Sequence, residues 1–545
     1  MRHKTRLMTV FALVLAMTVI AACSPAAIDN GEPPDPDGDD GPVQGGTLIQ
    51  ASFTGPAHLN PHLFSPGGAG ESHVGHVFRG LIAFDPDTGA AVPDLAASWT
   101  ISDDDLEYTF VLRDDVTWHD GEPFTSRDVK FTYDAIKHPE YLGYRQSTHG
   151  DPIREIEIVD EHTVRFILEE AFAPFIMNLD FSITPEHVLG DAMGKGMEDH
   201  PFNSNPVGTG PFMFDKWVSG DRLELVAYDD FYLGRPNIDR LVYTIVPDVD
   251  AMVMAYEAGS SNLIFFDSRQ LGIVEAIPNT RILQRPGIYM DTLFFNVNEP
   301  PLDDRSVRQA LMHATDQDAL LNALLQGNGV HIDSFILPES VFGTEDIAMY
   351  DFDKSKAEEI LDEAGWTLNP SGIREKDGVT LSFELDTHTG NLRREATIQI
   401  LQEQWQAIGI EVELGIYEVS TYWSERMLAH DYQVGVFGFA VPWDPDESSS
   451  QFVTGGVRNA SGFANARVDE LFALGRVTSE IDERAAYYKE IQEIVAEEVP
   501  YGFLSLRDLF TAMSDNIEGV ELKPFGGRSD NDTFEYNIHE WWIRQ

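Results

Sequence analysis

Apolar and polar positions alternate at period two through much of the first half of the chain. Tyr108-Thr109-Phe110-Val111-Leu112-Arg113 sets large apolar side chains on one face, which predicts a half-buried strand. Glu155–Val159 and Thr163–Leu168 flank the turn residues Asp160-Glu161-His162 and predict a hairpin, and Leu223–Tyr228 with Leu241–Val246 predict a second strand pair. Thr47–Ser52 is a further short strand candidate. Helical spacing takes over later: helices are expected over Val307–Leu325, over Lys354–Ala364 with Asp353 as cap, over Arg393–Ala407 before Gly409, and over Glu483–Glu498, stopped by Pro500. Strands over Thr292–Val297, Leu381–Leu385, Glu411–Ile416 and Tyr432–Phe437 fall between them. The expected class is a multi-lobed α/β protein without internal repeats.

One apolar run belongs to neither pattern. Leu7–Ala22 carries no charge and follows Arg2, Lys4 and Arg6, the layout of a secretory signal. A helix of that length would reach about 24 Å, short of a hydrocarbon core of roughly 30 Å. The run closes as Ile20-Ala21-Ala22-Cys23, which resembles a bacterial lipobox, so cleavage before Cys23 and acylation of that residue are expected. Two or three acyl chains, at about 0.8 kcal/mol per buried CH₂, would hold a domain on the outer face of the cytoplasmic membrane. Residues 24–44, rich in Pro, Gly and Asp, read as a disordered acidic tether.

With 545 residues, more than one core is expected, and with a single cysteine no disulfide can hold the fold together. The net charge of −54, from 37 basic against 91 acidic residues, argues against a nucleic-acid partner. Acids spread along the whole chain point to a surface adapted to high salt, where self-repulsion is screened. No G-x-S-x-G elbow, H-E-x-x-H pair or Walker lysine after Gly208-Thr209-Gly210 is present, so no catalytic residues are expected. A secreted glycosidase using two acids is the competing class.

An ordered set of motifs carries a family resemblance over roughly residues 45–545. Ser98-Trp99, Trp118-His119-Asp120-Gly121, Thr125-Ser126-Arg127-Asp128-Val129, Pro206-Val207-Gly208-Thr209-Gly210-Pro211-Phe212, Phe295-Asn296, Asp304-Arg305-Ser306-Val307-Arg308-Gln309-Ala310, Glu363-Ala364-Gly365-Trp366 and Trp443-Asp444-Pro445-Asp446 together resemble the family 5 extracellular solute-binding proteins. The resemblance implies a two-lobed clamp serving an ABC importer: lobe I from 45–78, 206–288 and 512–545, an inserted subdomain at 79–205, and lobe II from 289–511. It also implies a peptide-like ligand between the lobes, permease partners, a monomer and no cofactor. A non-peptide solute, such as an oligosaccharide or a nickel complex, and a role in signalling remain alternatives.

Candidate ligand contacts are Phe53 and His62 after the first strand, Thr387, His388 and Asn391 before a helix start, and Phe439, Trp443, Asp444 and Asp446 in the later loop. Phe295 and Asn296 are expected at the hinge. Peptide-binding branches place an Asp ahead of the Asp-Pro pair to neutralise the α-ammonium. Here that stretch is Phe439-Ala440-Val441-Pro442, so either Asp444 or Asp446 takes the role or the ligand is not a free peptide. Arg393 or Arg394 would countercharge a ligand carboxylate at the helix start. His58 with His62, and His73 with His76, read as surface histidines and not as metal pairs.

Overall fold

The computed structural model describes residues 41–52, 55–64, 73–143, 145–190, 192–523 and 535–544. The expected signal, Cys23, most of the tether and Phe53 lie outside them.

An eleven-stranded mixed sheet runs through the described residues. Its order is Glu411–Tyr417, Ser382–His388, Val434–Ala440, Thr280–Phe295, Tyr501–Ser514, Leu263–Phe266, Thr47–Ser52, Arg240–Ile245, Arg222–Ala227 and Phe212–Val218, with Gly329–His331 added beside Tyr501–Ser514. The two central strands belong to both ends. Thr280–Pro286 pairs with Asp508–Ser514, and after a register shift Met290–Phe294 pairs with Tyr501–Leu506. Below the shift, Leu263–Phe266 completes the sheet of lobe I; above it, Val434–Ala440 pairs with Tyr289–Phe295 in lobe II. Pro286 has no N–H to give the ladder, which interrupts pairing at the crossing.

Alternation decides which core each residue joins. In lobe II, Leu293 and Phe295 enter one core with Leu385, Ile398, Leu401 and Trp405, while Met290 and Phe294 enter the opposite one with Phe439, Tyr488 and Phe503. In lobe I, Leu48, Leu223, Leu225 and Leu241 pack with Met513, Ile517, Ile538 and Trp541. The inserted subdomain has its own four-stranded antiparallel sheet, in the order Ala96–Ile101, Glu107–Leu112, Thr163–Leu168 and Ile153–Asp160, and its own core around Tyr108, Phe110, Tyr133 and Phe166.

Helix Lys354–Glu363 starts on Asp353, whose carboxylate accepts from the Lys356 N–H at 2.9 Å. Helix Ile481–Glu498 ends because a residue before proline is disfavoured in the helical region; Val499 turns left-handed, with φ +49°. The helix expected over Val307–Leu325 is two, Arg305–His313 and Gln317–Leu325. Asp316 breaks it by accepting from the Ala319 N–H at 2.8 Å as the cap of the second.

Candidate functional site

Strands Glu411–Tyr417, Ser382–His388 and Val434–Ala440 run parallel, so their carboxyl ends and the loops beyond them share one edge, where open α/β sheets receive ligands. At this edge Asn391 caps helix Leu392–Gln406, its side chain accepting from the Arg394 N–H at 3.2 Å. Capping aims the helix N-terminus, with its partial positive charge, at the space beyond the strands. Arg393 and Arg394 occupy this first turn.

Both guanidiniums meet one carboxylate. Arg394 Nε donates to Asp291 Oδ1 at 3.0 Å, and Arg393 pairs with the other oxygen. Arg394 Nη1 also donates to His388 Nε2 at 3.1 Å, which puts the ring proton on Nδ1, donating to the Thr389 carbonyl at 2.8 Å. The Arg394 guanidinium lies 4.9 Å from the Phe437 ring, which stacks on Trp423 at 5.1 Å. It can approach the strand because residue 438 is glycine: a Cβ there would collide with Arg394 Nη2 and the Met290 carbonyl. Burial, with the charge of nearby Arg507, lowers both arginines to about 10, and Arg394 adds to the effect on Arg393. Both therefore stay cationic at neutral pH and share Asp291, with Arg507 near enough for its charge to be felt by each.

Arg507 lies on the second crossing strand and faces both lobes electrically. Burial opposes ionisation of Asp267 in lobe I, but Arg269 and Arg507 outweigh it and hold that carboxyl below its ordinary range. The inserted subdomain also meets lobe II: the rings of Phe84 and Trp443 are 5.1 Å apart.

Several expected contacts sit elsewhere. His62 is wholly buried, with Nε2 2.9 Å from Thr184 Oγ1 and its ring between Tyr141 and Phe181; burial pushes it down to about 3 and keeps it neutral. It forms part of the packed interior and offers no surface to a ligand. Phe439 packs among Phe294, Tyr501 and Phe503 in the lobe II core. Thr387 is buried and donates to the Val436 carbonyl at 2.9 Å, within the sheet. Asp444 is held by Arg484 through bonds of 2.5 and 2.6 Å, both side chains buried, and Asp446 accepts from Arg476 at 3.0 to 3.2 Å. Neither carboxylate is left for a ligand ammonium. Phe295 is a core residue, and Asn296 Nδ2 donates to the His430 and Tyr432 carbonyls; the chain crosses between lobes earlier, at Pro286–Met290. His73 and His76 are also interior: His73 packs 4.5 Å from Tyr243, and His76 Nε2 lies 2.8 Å from Glu535. His388, Asn391 and Trp443 do lie at the strand-end edge. Asp291, Phe437, Arg507 and Phe84 were not anticipated, although a carboxylate inside the apolar run Met290–Phe295 was a visible signal.

The model for bacterial extracellular solute-binding proteins, family 5, matches residues 90–460. The oligopeptide-binding protein AppA of Bacillus subtilis is 31% identical over 99% of both chains. Its structure in complex with a nonapeptide superposes with a TM-score of 0.70 at 30% identity, covering 92% of this chain and 100% of that one. NikZ of Campylobacter jejuni, solved with Ni(L-His), gives 0.72 at 28% identity, covering 91% and 99%. With the two-lobed fold, the motif order and the match over most of its length, this chain belongs to family 5 of the bacterial extracellular solute-binding proteins.

Proposed function

We propose that this chain is the solute-capturing component of an ABC importer, exported, anchored as a monomer through lipid on Cys23, and loaded in the cleft beside Arg393 and Arg394 with a peptide-like solute. Its carboxylate would sit between these guanidiniums and Arg507, displacing part of the Asp291 pairing. The observation that carries this reading is charge. In a chain of net −54, Arg393 and Arg394 converge on the single carboxylate of Asp291, with the charge of Arg507 close enough to act on both. A closed, water-poor cleft strengthens such an attraction well beyond its value in water. The division into 45–78 with 206–288 and 512–545, against 289–511, with 79–205 inserted, belongs to the same reading; the cores of 289–511 are separate from the rest, while Phe131, Ala135, Leu189, Met197 and Phe202 of the inserted part join the lobe I core.

A non-peptide anionic solute is the second reading, favoured by one observation: Asp444 and Asp446 are both consumed by arginines, so neither awaits an α-ammonium. A thermal-shift screen in high salt separates the two. At about 100 times its Kd a binder adds about 2.7 kcal/mol. Peptides with a free C-terminus are expected to raise the melting temperature and their C-terminal amides to fail. Shifts by oligosaccharides or metal complexes alone would overturn the peptide assignment. The acidic surface predicts that melting itself rises from low to molar salt, and radiolabelled fatty acid should enter the wild type but not Cys23→Ala.

A further inference from the structure

The turn Ser102–Leu106 of the inserted subdomain carries Asp103, Asp104 and Asp105 in succession, and its tip touches lobe II. Asp105, held left-handed at φ +57°, accepts a hydrogen bond of 2.7 Å from Ser479 Oγ. Ser479 precedes helix Ile481–Glu498, and the acidic residues that follow it, Glu480, Asp482 and Glu483, are all exposed. An acidic turn therefore meets an acidic helix start through one hydrogen bond, from an uncharged hydroxyl to the Asp105 carboxylate. Next to them, segment Ala173–Asn178 packs against helix Ala466–Val477, and Phe84 meets Trp443.

Attraction at this contact is limited. Glu170 faces Arg476, and Arg484 acts with Asp105 on Tyr108, but these arginines are already paired with Asp446 and Asp444. The partial positive charge of the helix start favours Asp105, yet Asp482 and Glu483 in that first turn already offset it. Like charges on the two turns repel over roughly 10 Å at about 0.1 M salt and over only about 3 Å at about 1 M. Screening removes the repulsion and leaves the Asp105–Ser479 bond and the ring contact in place.

We propose that Asp105 and Ser479 form a latch between the inserted subdomain and lobe II that closes with ionic strength, so that salt sets how much of the protein is closed before any solute arrives. The latch uses residues outside the arginine site, so it stands or falls independently of the cargo.

Hydrogen exchange followed by mass spectrometry on the ligand-free full chain tests it, at about 0.1 M and about 1 M NaCl. Peptides covering 102–107 and 478–483 report the latch, and one from 280–295 reports global stability. Wild type should gain several-fold protection in both turns at high salt, beyond any change in the reference. Asp105→Asn keeps the acceptor and tolerates the left-handed backbone but removes one charge, so it should be protected already at low salt. Ser479→Ala should stay unprotected at both, with the reference strand unchanged. Equal protection of the turns at both salts, variants indistinguishable from wild type, or a gain shared equally by the reference strand would overturn the proposal.

Discussion

Arg484 grips Asp444 with two hydrogen bonds, of 2.5 and 2.6 Å, and both side chains are almost completely buried. Arg484 Nε also donates to the Gly475 carbonyl at 2.7 Å, so the pair ties the loop after strand Val434–Ala440 to two helices of lobe II. Removing one partner strands the other charge in the interior. Asp444→Ala is expected to cost about 3–5 kcal/mol in denaturant unfolding. A variant of unchanged stability that lost solute binding would instead make Asp444 a ligand group.

Arg394 and Arg393 should behave differently from that pair. Replacing either with alanine is expected to weaken binding of a peptide with a free C-terminus by at least about tenfold, or about 1.4 kcal/mol. Asp291→Asn removes the competing carboxylate and should tighten binding of the same peptide. Isothermal titration calorimetry against the peptide and its C-terminal amide reads both effects. Equal affinities for acid and amide would contradict the assigned role.

Gly438 is required by the arginine that lies over it. Gly438→Ala forces a methyl against Arg394 and the Met290 carbonyl, at an expected cost of about 1–3 kcal/mol. The loss should appear in thermal melts together with reduced selectivity for the acid over the amide.

His62 makes the fold acid-sensitive. Its native value near 3 lies below the ordinary value of 6.5, so between these limits the unfolded chain binds the proton and the folded one does not. Stability from this group is complete above the upper limit and is lost progressively as pH falls towards the lower one. His62→Gln should flatten the wild-type decline between those limits by up to a few kcal/mol in unfolding experiments. Parallel curves would show that another group carries the acid response.

Much of this architecture was readable because half-buried strands leave a period of two and helix ends leave local chemistry. Tyr108 with Phe110, Leu223 with Leu225, and the Asp353 cap are all short-range signals. The break at Asp316 was hidden because apolar spacing continues through it while the cap bond interrupts the helix. The strand Thr280–Phe295 looked like a short one because Arg281, Gln284 and Arg285 obscure its first half, and its partners in Tyr501–Ser514 lie far along the chain. The same distance problem governed the site. The turn shape of Asp444-Pro445-Asp446 was legible, but Arg484, forty positions on, was not, and its presence turns a candidate ligand contact into a structural one. Arg393 and Arg394 were found because a helix start is local; Asp291, about a hundred positions away, needed three-dimensional proximity to be seen.

The paired crossing strands have a consequence for how the chain matures. The two cores of lobe II draw only on residues between Met290 and Leu506, so they can close without either flank. Lobe I cannot: Leu48 waits for Ile538 and Trp541, which follow the whole of lobe II. The half that is begun first therefore carries an open apolar face until the chain returns from lobe II to cover it.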